Sequence, residues 1–532
     1  MNIEQPNTEQ LNRELQIQQL SDNPAYDIVI IGGGATGLGC AVDAASRGYK
    51  TLLLEKHDFA KGTSSRATKL VHGGVRYLAQ GNIRLVREAL FERGRLLQNA
   101  PHVCHTLPFV VPSYKWWQKW YYGAGLWVYE LLSAKLSLGK TKLLSAKGAL
   151  RNLPNLSLKG LSGGVLYFDG QFDDSRLAIN LAQTAVEQGA TVINYCSVTG
   201  FEKAQGRVTG VTARDSISGQ TYTVSTKVII NATGVFADEV LQMADHDAAA
   251  TIIPSQGIHL VVDKKHFAGD TGLMIPKTDD GRVLFAIPWH DKLLVGTTDT
   301  LVNHINTEPK ATQEEVDFVI RNFNRYASQS IGYGDVLSVF AGLRPLAKKG
   351  GQQKTAVMPR DHQVTVLPSG LVHVTGGKWT TYRRMAEDAV NKAVTSVGLA
   401  AKTCVTKKLP IHGSGQSVGE GHWAIYGSDA SAIQQLIALN AALGEKLCPA
   451  YPYTLAEVHW MAQHEMAVTV EDILARRIRL LFMDAQAAME AAPVVAANMA
   501  QVLGKDAAWQ QQQVSYFTQL AQGYLLTGMK DM

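Results

Sequence analysis

The chain begins polar and turns apolar abruptly at residue 26. Residues 26–31, Tyr-Asp-Ile-Val-Ile-Ile, are a β-branched run too short for a helix, which predicts a strand buried on both faces. Glycines follow at once, and residues 38–47 carry small apolar side chains at helical spacing until Gly48 stops them. A second apolar run, 50–55, ends in Glu55, so the opening pattern predicts a βαβ unit. Further on, residues 175–188 have helical spacing and 191–195 form a strand, while 201–211 and 221–230 alternate as antiparallel strands. Residues 252–300 are β-rich, with strands over 282–289 and 292–298 turning at His290 and Asp291. A strand at 371–375 runs through glycines into a helix, and the Gly/Ser stretch at 413–428 predicts a linker. Beyond it the spacing is helical to the end, with a capping box at Thr454 and Glu457 and a similar pair, Thr469 and Asp472, before a helix over 473–483.

At 532 residues this order fits about three units. The reading is α/β plus α: a Rossmann-like dinucleotide-binding domain, a β-rich substrate domain and a C-terminal helical domain. The segments are a polar leader at 1–24, cofactor-binding pieces at 25–95, 171–250 and 346–404, an aromatic and basic cap at 96–170, the β domain at 251–345 and helices over 405–532.

Composition then narrows the classes. The formal charge of +5 is too small over this length to argue for nucleic acid. Five cysteines, odd in number and without a C-x-x-C pair, argue against a disulfide scaffold or a closely spaced metal site and for a reducing compartment. His464-Glu465 lacks the second histidine of a zinc-protease helix and there is no P-loop, so no metal is expected. The leader has no apolar core, and no window is long enough to span a bilayer, so any membrane role must be peripheral. Charge is concentrated in one place. Between 113 and 151, seven lysines and arginines face Glu130 alone and interleave with Trp116, Trp117, Trp120, Tyr121, Tyr122, Trp127 and Tyr129. Aromatics among cations suit the lipid headgroup boundary, although the same mixture can stack bases.

Gly32, Gly34 and Gly37 form G-x-G-x-x-G between a strand and a helix, and Glu55 closes the next strand 18 residues beyond Gly37. Gly32 permits the turn, Gly34 lets a pyrophosphate approach the helix N-terminus, Gly37 lets helix pack on strand, and Glu55 takes ribose hydroxyls. The fingerprint alone does not choose FAD over NAD. Residues 228–234 end in Ala232-Thr233-Gly234, the pattern of two-dinucleotide-binding flavoproteins, although an ordinary strand can end in such a turn. Residues 63–78 hold Thr63, Ser64, Ser65, Lys69, His72, Gly73 and Gly74, small and hydroxylic enough to run beneath an isoalloxazine ring.

Together with Tyr114-Lys-Trp-Trp117, residues 342–346 and residues 376–383, these motifs resemble the FAD-dependent, quinone-linked glycerol-3-phosphate dehydrogenases of respiratory and mitochondrial type, from about residue 25 to the C-terminus. The resemblance implies a D-amino-acid-oxidase-like fold and oxidation of sn-glycerol 3-phosphate to dihydroxyacetone phosphate by hydride transfer to flavin N5. It further implies ubiquinone or menaquinone as acceptor and peripheral attachment through 113–151 to the cytoplasmic face of the inner membrane. It places Arg76, Tyr77 and Arg344 at the substrate phosphate and reacting oxygens, where a planar guanidinium suits a dianion. His259 is preferred over His72 as the base, with His72 near the flavin. Gly377, Lys378, Trp379 and Thr380 stand where backbone amides and a cation lower the energy of anionic reduced flavin; Lys378 could instead touch phosphate, and Thr380 could serve substrate or flavin.

Two alternatives stay open: an oxidase passing electrons to oxygen and making peroxide, and a protein with a purely structural flavin. The helical region from 405 could cap the site, form a homodimer or dock a partner. Its Arg476, Arg477 and Arg479 read as a solvated or ion-paired face.

Overall fold

The computed structural model describes residues 11–79, 81–348, 361–415 and 421–529. Helix α1 (Arg13–Asp22) precedes β1 (Ala25–Ile31), α2 (Ala35–Ser46) and β2 (Thr51–Leu54). The short β3 (Leu70–Val71), α3 (Val75–Ala79) and α4 (Ile83–Asn99) follow. Next come β4 (Cys104–Ser113), α5 (Gln118–Ser133), β5 (Lys142–Leu144), α6 (Ala146–Asn152) and β6 (Gly163–Phe172). The chain continues through α7 (Asp174–Glu187), β7 (Thr191–Ile193), β8 (Cys196–Ala204), β9 (Arg207–Asp215), β10 (Thr221–Asn231) and α8 (Ala237–Ala244). Then β11 (Ile252–Asp263), β12 (Gly272–Ile275), β13 (Leu284–Trp289), β14 (Lys292–Gly296), β15 (Thr300–Leu301), α9 (Gln313–Asn324) and β16 (Val336–Ala347) follow. Last are β17 (Gln363–Val366), β18 (Val372–Thr375), α10 (Tyr382–Ser396) and the helices α11 (Ala430–Leu439), α12 (Leu455–His464), α13 (Leu480–Met483), α14 (Ala485–Leu503) and α15 (Ala507–Gln522).

The first sheet runs β17-β18-β10-β1-β2-β7, with the β8–β9 hairpin attached to β10. Strand β1 lies parallel between β10 and β2, and its side chains alternate between two apolar layers. Ile28 and Ile30 pack with α2, α7 and α10, whereas Val29 and Ile31 pack with residues of β8, β9 and α1. Burial on both faces is why this run lacks any polar alternation. The three cofactor-binding segments expected from the sequence therefore meet in one sheet.

Among the described residues the second sheet has ten strands, in which β4 joins β12 in parallel and β6 antiparallel. The 96–170 segment thus supplies β4, β5 and β6 to this sheet. Three expectations need correction. The single strand expected at 201–211 is a hairpin, turning at Gln205 and Gly206, both with positive φ. Residues 413–428 are not a free linker: among the described residues, Tyr426 is buried, donates to Glu457 at 2.6 Å and lies under Arg176. The helix expected over 473–483 is a π-turn at Asp472–Arg477 followed by α13, with Arg479 left-handed between them. Of the two readings of Arg476, Arg477 and Arg479, solvated or ion-paired, the ion-paired one holds: they are buried and paired with Asp58, Glu471, Asp472 and Asp174, in the seam to the first domain. Both expected capping pairs are present, at Thr454 with Glu457 and at Thr469 with Asp472.

Candidate active site

The loop after β1 depends on its glycines. Gly32 has φ 107°, and a side chain there would meet the Ala232 carbonyl at 2.8 Å. A Cβ on Gly37 would lie 1.8 Å from the Gly32 carbonyl oxygen, so only glycine lets α2 approach β1. Gly34 caps α2 without a side chain, and its nearest neighbour is Ser64 Oγ, which accepts the Ala35 N–H at 3.0 Å. Glu55 accepts the N–H groups of Gly33 at 2.6 Å and His57 at 2.8 Å, and burial pushes its carboxyl up. Ala232-Thr233-Gly234 continues β10 directly beside Gly32, since Ile31 pairs with Asn231.

These groups line a cavity of about 480 Å³. Gly32, Gly34 and Glu55 stand in its wall with Thr63, Ser64, His72 and Gly74. Ala232, Thr233, Gly234, Gly377, Lys378, Trp379 and Thr380 line it too. The Trp379 indole donates to the Ser64 carbonyl at 2.9 Å, and Thr380 Oγ1 accepts the His72 N–H at 3.2 Å, so the 63–78 and 376–383 motifs hold one another.

A second stretch of wall is set by strand register. Arg344 on β16 lies across from Ser255 on β11, and its guanidinium folds over Gly257. A Cβ on Gly257 would sit 2.1 Å from Arg344 Nη2, so the arginine occupies a place that any side chain would fill. It donates to the Gln256 carbonyl at 3.2 Å and Thr297 Oγ1 at 3.0 Å, and Asp299 stands 3.6 Å away. His259, also on β11, stacks on Phe340 at 5.0 Å, with Gly296 against its edge. Its Nε2 is 2.9 Å from Thr68 Oγ1. Burial, then the Lys69 and Arg344 cations, hold its pKa well below the usual imidazole range, so it is neutral at pH 7. Lys378 Nζ lies 4.2 Å above the Tyr77 ring. His259, Arg344, Tyr77 and His72 all face the same cavity.

Not every expected residue does. Lys69 is buried at 2.7 Å from Asp174 and packs among Trp289, Phe340 and Phe482, so it is structural where cofactor contact was expected. Ser65 donates to the Ala60 carbonyl at 2.6 Å, and Gly73 packs against Leu90 and Tyr129, both outside the cavity wall. Gly37 acts through packing alone. Arg76 lies in α3, and its side chain is outside the described residues. Thr68, Thr297, Asp299 and Asp169 line the cavity without having been singled out. Only Thr68 had a local signal, a hydroxyl inside the flavin-facing run.

The family model for FAD dependent oxidoreductases matches residues 27–383, and that for the C-terminal domain of alpha-glycerophosphate oxidase matches 404–511. Human mitochondrial glycerol-3-phosphate dehydrogenase is 38% identical over 539 residues, covering 94% of this chain and 73% of the relative. The chain belongs to the FAD-dependent glycerol-3-phosphate dehydrogenase family. A mitochondrial member from Arabidopsis thaliana is likewise 38% identical, over 546 residues covering 94% of this chain and 86% of that one. The solved structure of the Bacillus halodurans glycerol-3-phosphate dehydrogenase complexed with FAD superposes with a TM-score of 0.76 at 28% identity, covering 97% of this chain and 98% of that one. The family cofactor fits what the residues offer. Gly34 puts no side chain at the start of α2, Glu55 stands in the cavity wall at the end of β2, and Gly376 and Gly377 both have positive φ beside the 63–78 run.

Proposed function

We propose that the protein oxidises sn-glycerol 3-phosphate to dihydroxyacetone phosphate and passes the electrons to ubiquinone or menaquinone at a membrane surface. The observation that carries this reading is one cavity with two kinds of wall: a dinucleotide cradle at Gly32, Gly34, Glu55 and Ala232–Gly234, and a separate polar wall with Arg344 over Gly257 and neutral His259. A structural flavin needs no second anion site.

FAD held by the glycine cradle supplies the two-electron acceptor for the alcohol. Arg344 faces the substrate's anionic and reacting oxygens, its orientation fixed by the Gln256 carbonyl and Thr297. Lys378 adds a second cation, set by its position over Tyr77. Arg76 is assigned to the phosphate from its place in the motif. His259 receives the hydroxyl proton as the carbinol hydrogen departs; a dianion beside Arg344 offsets that residue's repulsion and makes the imidazole more basic when substrate is bound.

The membrane surface is read from α5 and its approach. Trp116 is 75% exposed and Leu131 78%, with Trp120 and Tyr121 more than half exposed between them. Among the described residues no helix is long and apolar enough to cross a membrane. The proposed attachment is interfacial, through the exposed aromatics, and its place at the cytoplasmic face of the inner membrane rests on the family resemblance. Replacing Trp116, Trp120 and Leu131 by Ser should abolish co-sedimentation with anionic vesicles and slow reduction of vesicle-borne quinone, while turnover with a water-soluble acceptor persists. Full quinone reduction by protein that no longer binds vesicles would overturn the surface assignment. Stoichiometric peroxide under air, without quinone reduction, would assign oxygen as the acceptor.

A further inference from the structure

We propose that Thr68 is the residue through which His259 exchanges its proton with the substrate alcohol, an inference that rests on His259 being the base. The imidazole is enclosed. His259 is 2% exposed, one face lies on Phe340, and Gly296 is so close to Cδ2 that a Cβ there would approach to 2.3 Å. Its Nδ1 is buried with no hydrogen-bond partner among the described residues. Its Nε2 has one, the Thr68 hydroxyl at 2.9 Å, and Thr68 lines the cavity. His259 stands in the cavity wall, but its Nε2 is engaged by Thr68 Oγ1, so a proton bound for that nitrogen meets the Thr68 hydroxyl first.

The hydroxyl is held for this task. Asp174 grips both neighbours of Thr68, accepting the Ala67 N–H at 3.0 Å and the Lys69 ammonium at 2.7 Å. Lys69 adopts φ 62°, a left-handed turn that sends its ammonium to Asp174 while the preceding residue's hydroxyl meets His259. Arg479 from the C-terminal domain donates to the same carboxylate at 3.1 Å and to the Ser65 carbonyl at 2.9 Å. The C-terminal domain therefore braces the segment that carries the hydroxyl.

The step balances as follows. The substrate O–H bond breaks and its proton passes to Thr68 Oγ1, while the Thr68 proton passes to His259 Nε2, so the threonine is unchanged and the imidazole becomes imidazolium. The carbinol hydrogen leaves with its electron pair to the acceptor that FAD supplies, and the C–O bond becomes a carbonyl. This requires the resting imidazole to carry its proton on Nδ1, leaving Nε2 as acceptor.

The test is the anaerobic rate at which glycerol 3-phosphate reduces the holoenzyme, measured for Thr68→Val, Thr68→Ser, His259→Asn and the Thr68→Val/His259→Asn pair. Loss of a proton-transfer group costs about 10²–10⁴-fold. Thr68→Val and His259→Asn should each fall in that range with FAD retained. Thr68→Ser should recover most of the loss, and the double variant should be no slower than His259→Asn. A slow His259→Asn beside an unimpaired Thr68→Val would overturn the relay and leave the base assignment standing. An unimpaired His259→Asn would overturn the base assignment itself. Nitrogen NMR of ¹⁵N-histidine-labelled wild-type protein supplies a readout that needs no Thr68 variant to fold, the His259 signals being assigned by their absence in His259→Asn. A neutral His259 with its proton on Nδ1 supports the relay, and a proton on Nε2 overturns it.

Discussion

Tyr129, on the aromatic helix α5, accepts the backbone N–H of Gly73 at 2.7 Å and donates to Asp169 at 2.8 Å. Its ring is buried, so the helix bearing exposed tryptophans is tied by one phenol to the 63–78 run that lines the cavity. Asp169 is paired in turn with Arg93 on α4 at 2.8 Å.

Tyr129→Phe removes both bonds and strands a buried N–H and a buried carboxylate oxygen. Leaving such a group unsatisfied costs about 1–3 kcal/mol. Chemical denaturation should show a loss of that order, together with weaker FAD retention. Unchanged stability and retention would mean that the two segments are held independently of the phenol.

Arg344→Ala should lower kcat/KM for glycerol 3-phosphate at least about tenfold, and up to about 10³-fold where both guanidinium nitrogens bind anionic oxygen. FAD should stay bound, because the glycine cradle lies on other strands. Arg344→Lys should recover little, since an ammonium cannot reproduce the planar fork oriented by Gln256 and Thr297. Undiminished turnover in Arg344→Ala would refute the substrate assignment.

Stability should depend on pH through histidines of opposite sign. Burial, then neighbouring Lys61 and Lys56, lowers His57 to about 4, and burial lowers His102 to about 4 despite its bond to Asn180. For both, the unfolded chain binds the proton more readily, so their contribution is present above about pH 6.5 and is lost as the pH falls toward 4. His412 is the reverse: burial alone would lower it, but Asp429 and Glu187 outweigh burial and raise it to about 10. Its contribution is complete below about pH 6.5 and is lost as the pH rises to 10. Thermal melts should show His412→Gln destabilising more at about pH 6 than at about pH 10, and His102→Gln flattening the acid limb. A pH-independent His412→Gln effect would remove the ion pairs from the explanation.

The features legible from sequence were those whose cause is local. The G-x-G-x-x-G turn needs glycine because a Cβ at 37 meets the Gly32 carbonyl a few residues away, and both capping boxes span three residues. Distant partners were not legible. Lys69 sits among flavin-facing hydroxyls, but its partner Asp174 is 105 residues along the chain. Arg476 read as solvated or ion-paired, and the choice between the two was not legible because one of its partners, Asp58, lies 418 residues away. Strand β4 was hidden by Pro108 and Pro112, which weaken a strand pattern, and β6 by its three glycines. The hairpin at Gln205 and Gly206 lacks the Asn-Gly or Asp-Gly pair that signals a tight turn. Within the site, the cradle was legible as a motif and Arg344 and His259 through the resemblance, whereas Thr297 emerged only from its bond to Arg344 across the strands, and Thr68, one hydroxyl among several in its run, only from its bond to His259.

The most direct test is anaerobic titration of the FAD-loaded protein, following the visible flavin absorbance. Glycerol 3-phosphate should bleach the band in a 1:1 ratio to flavin, about two electrons each, while glycerol, which lacks the anion that Arg344 is placed to hold, should leave it oxidised. A band that stays oxidised in glycerol 3-phosphate, or that glycerol bleaches equally well, would refute the proposed substrate.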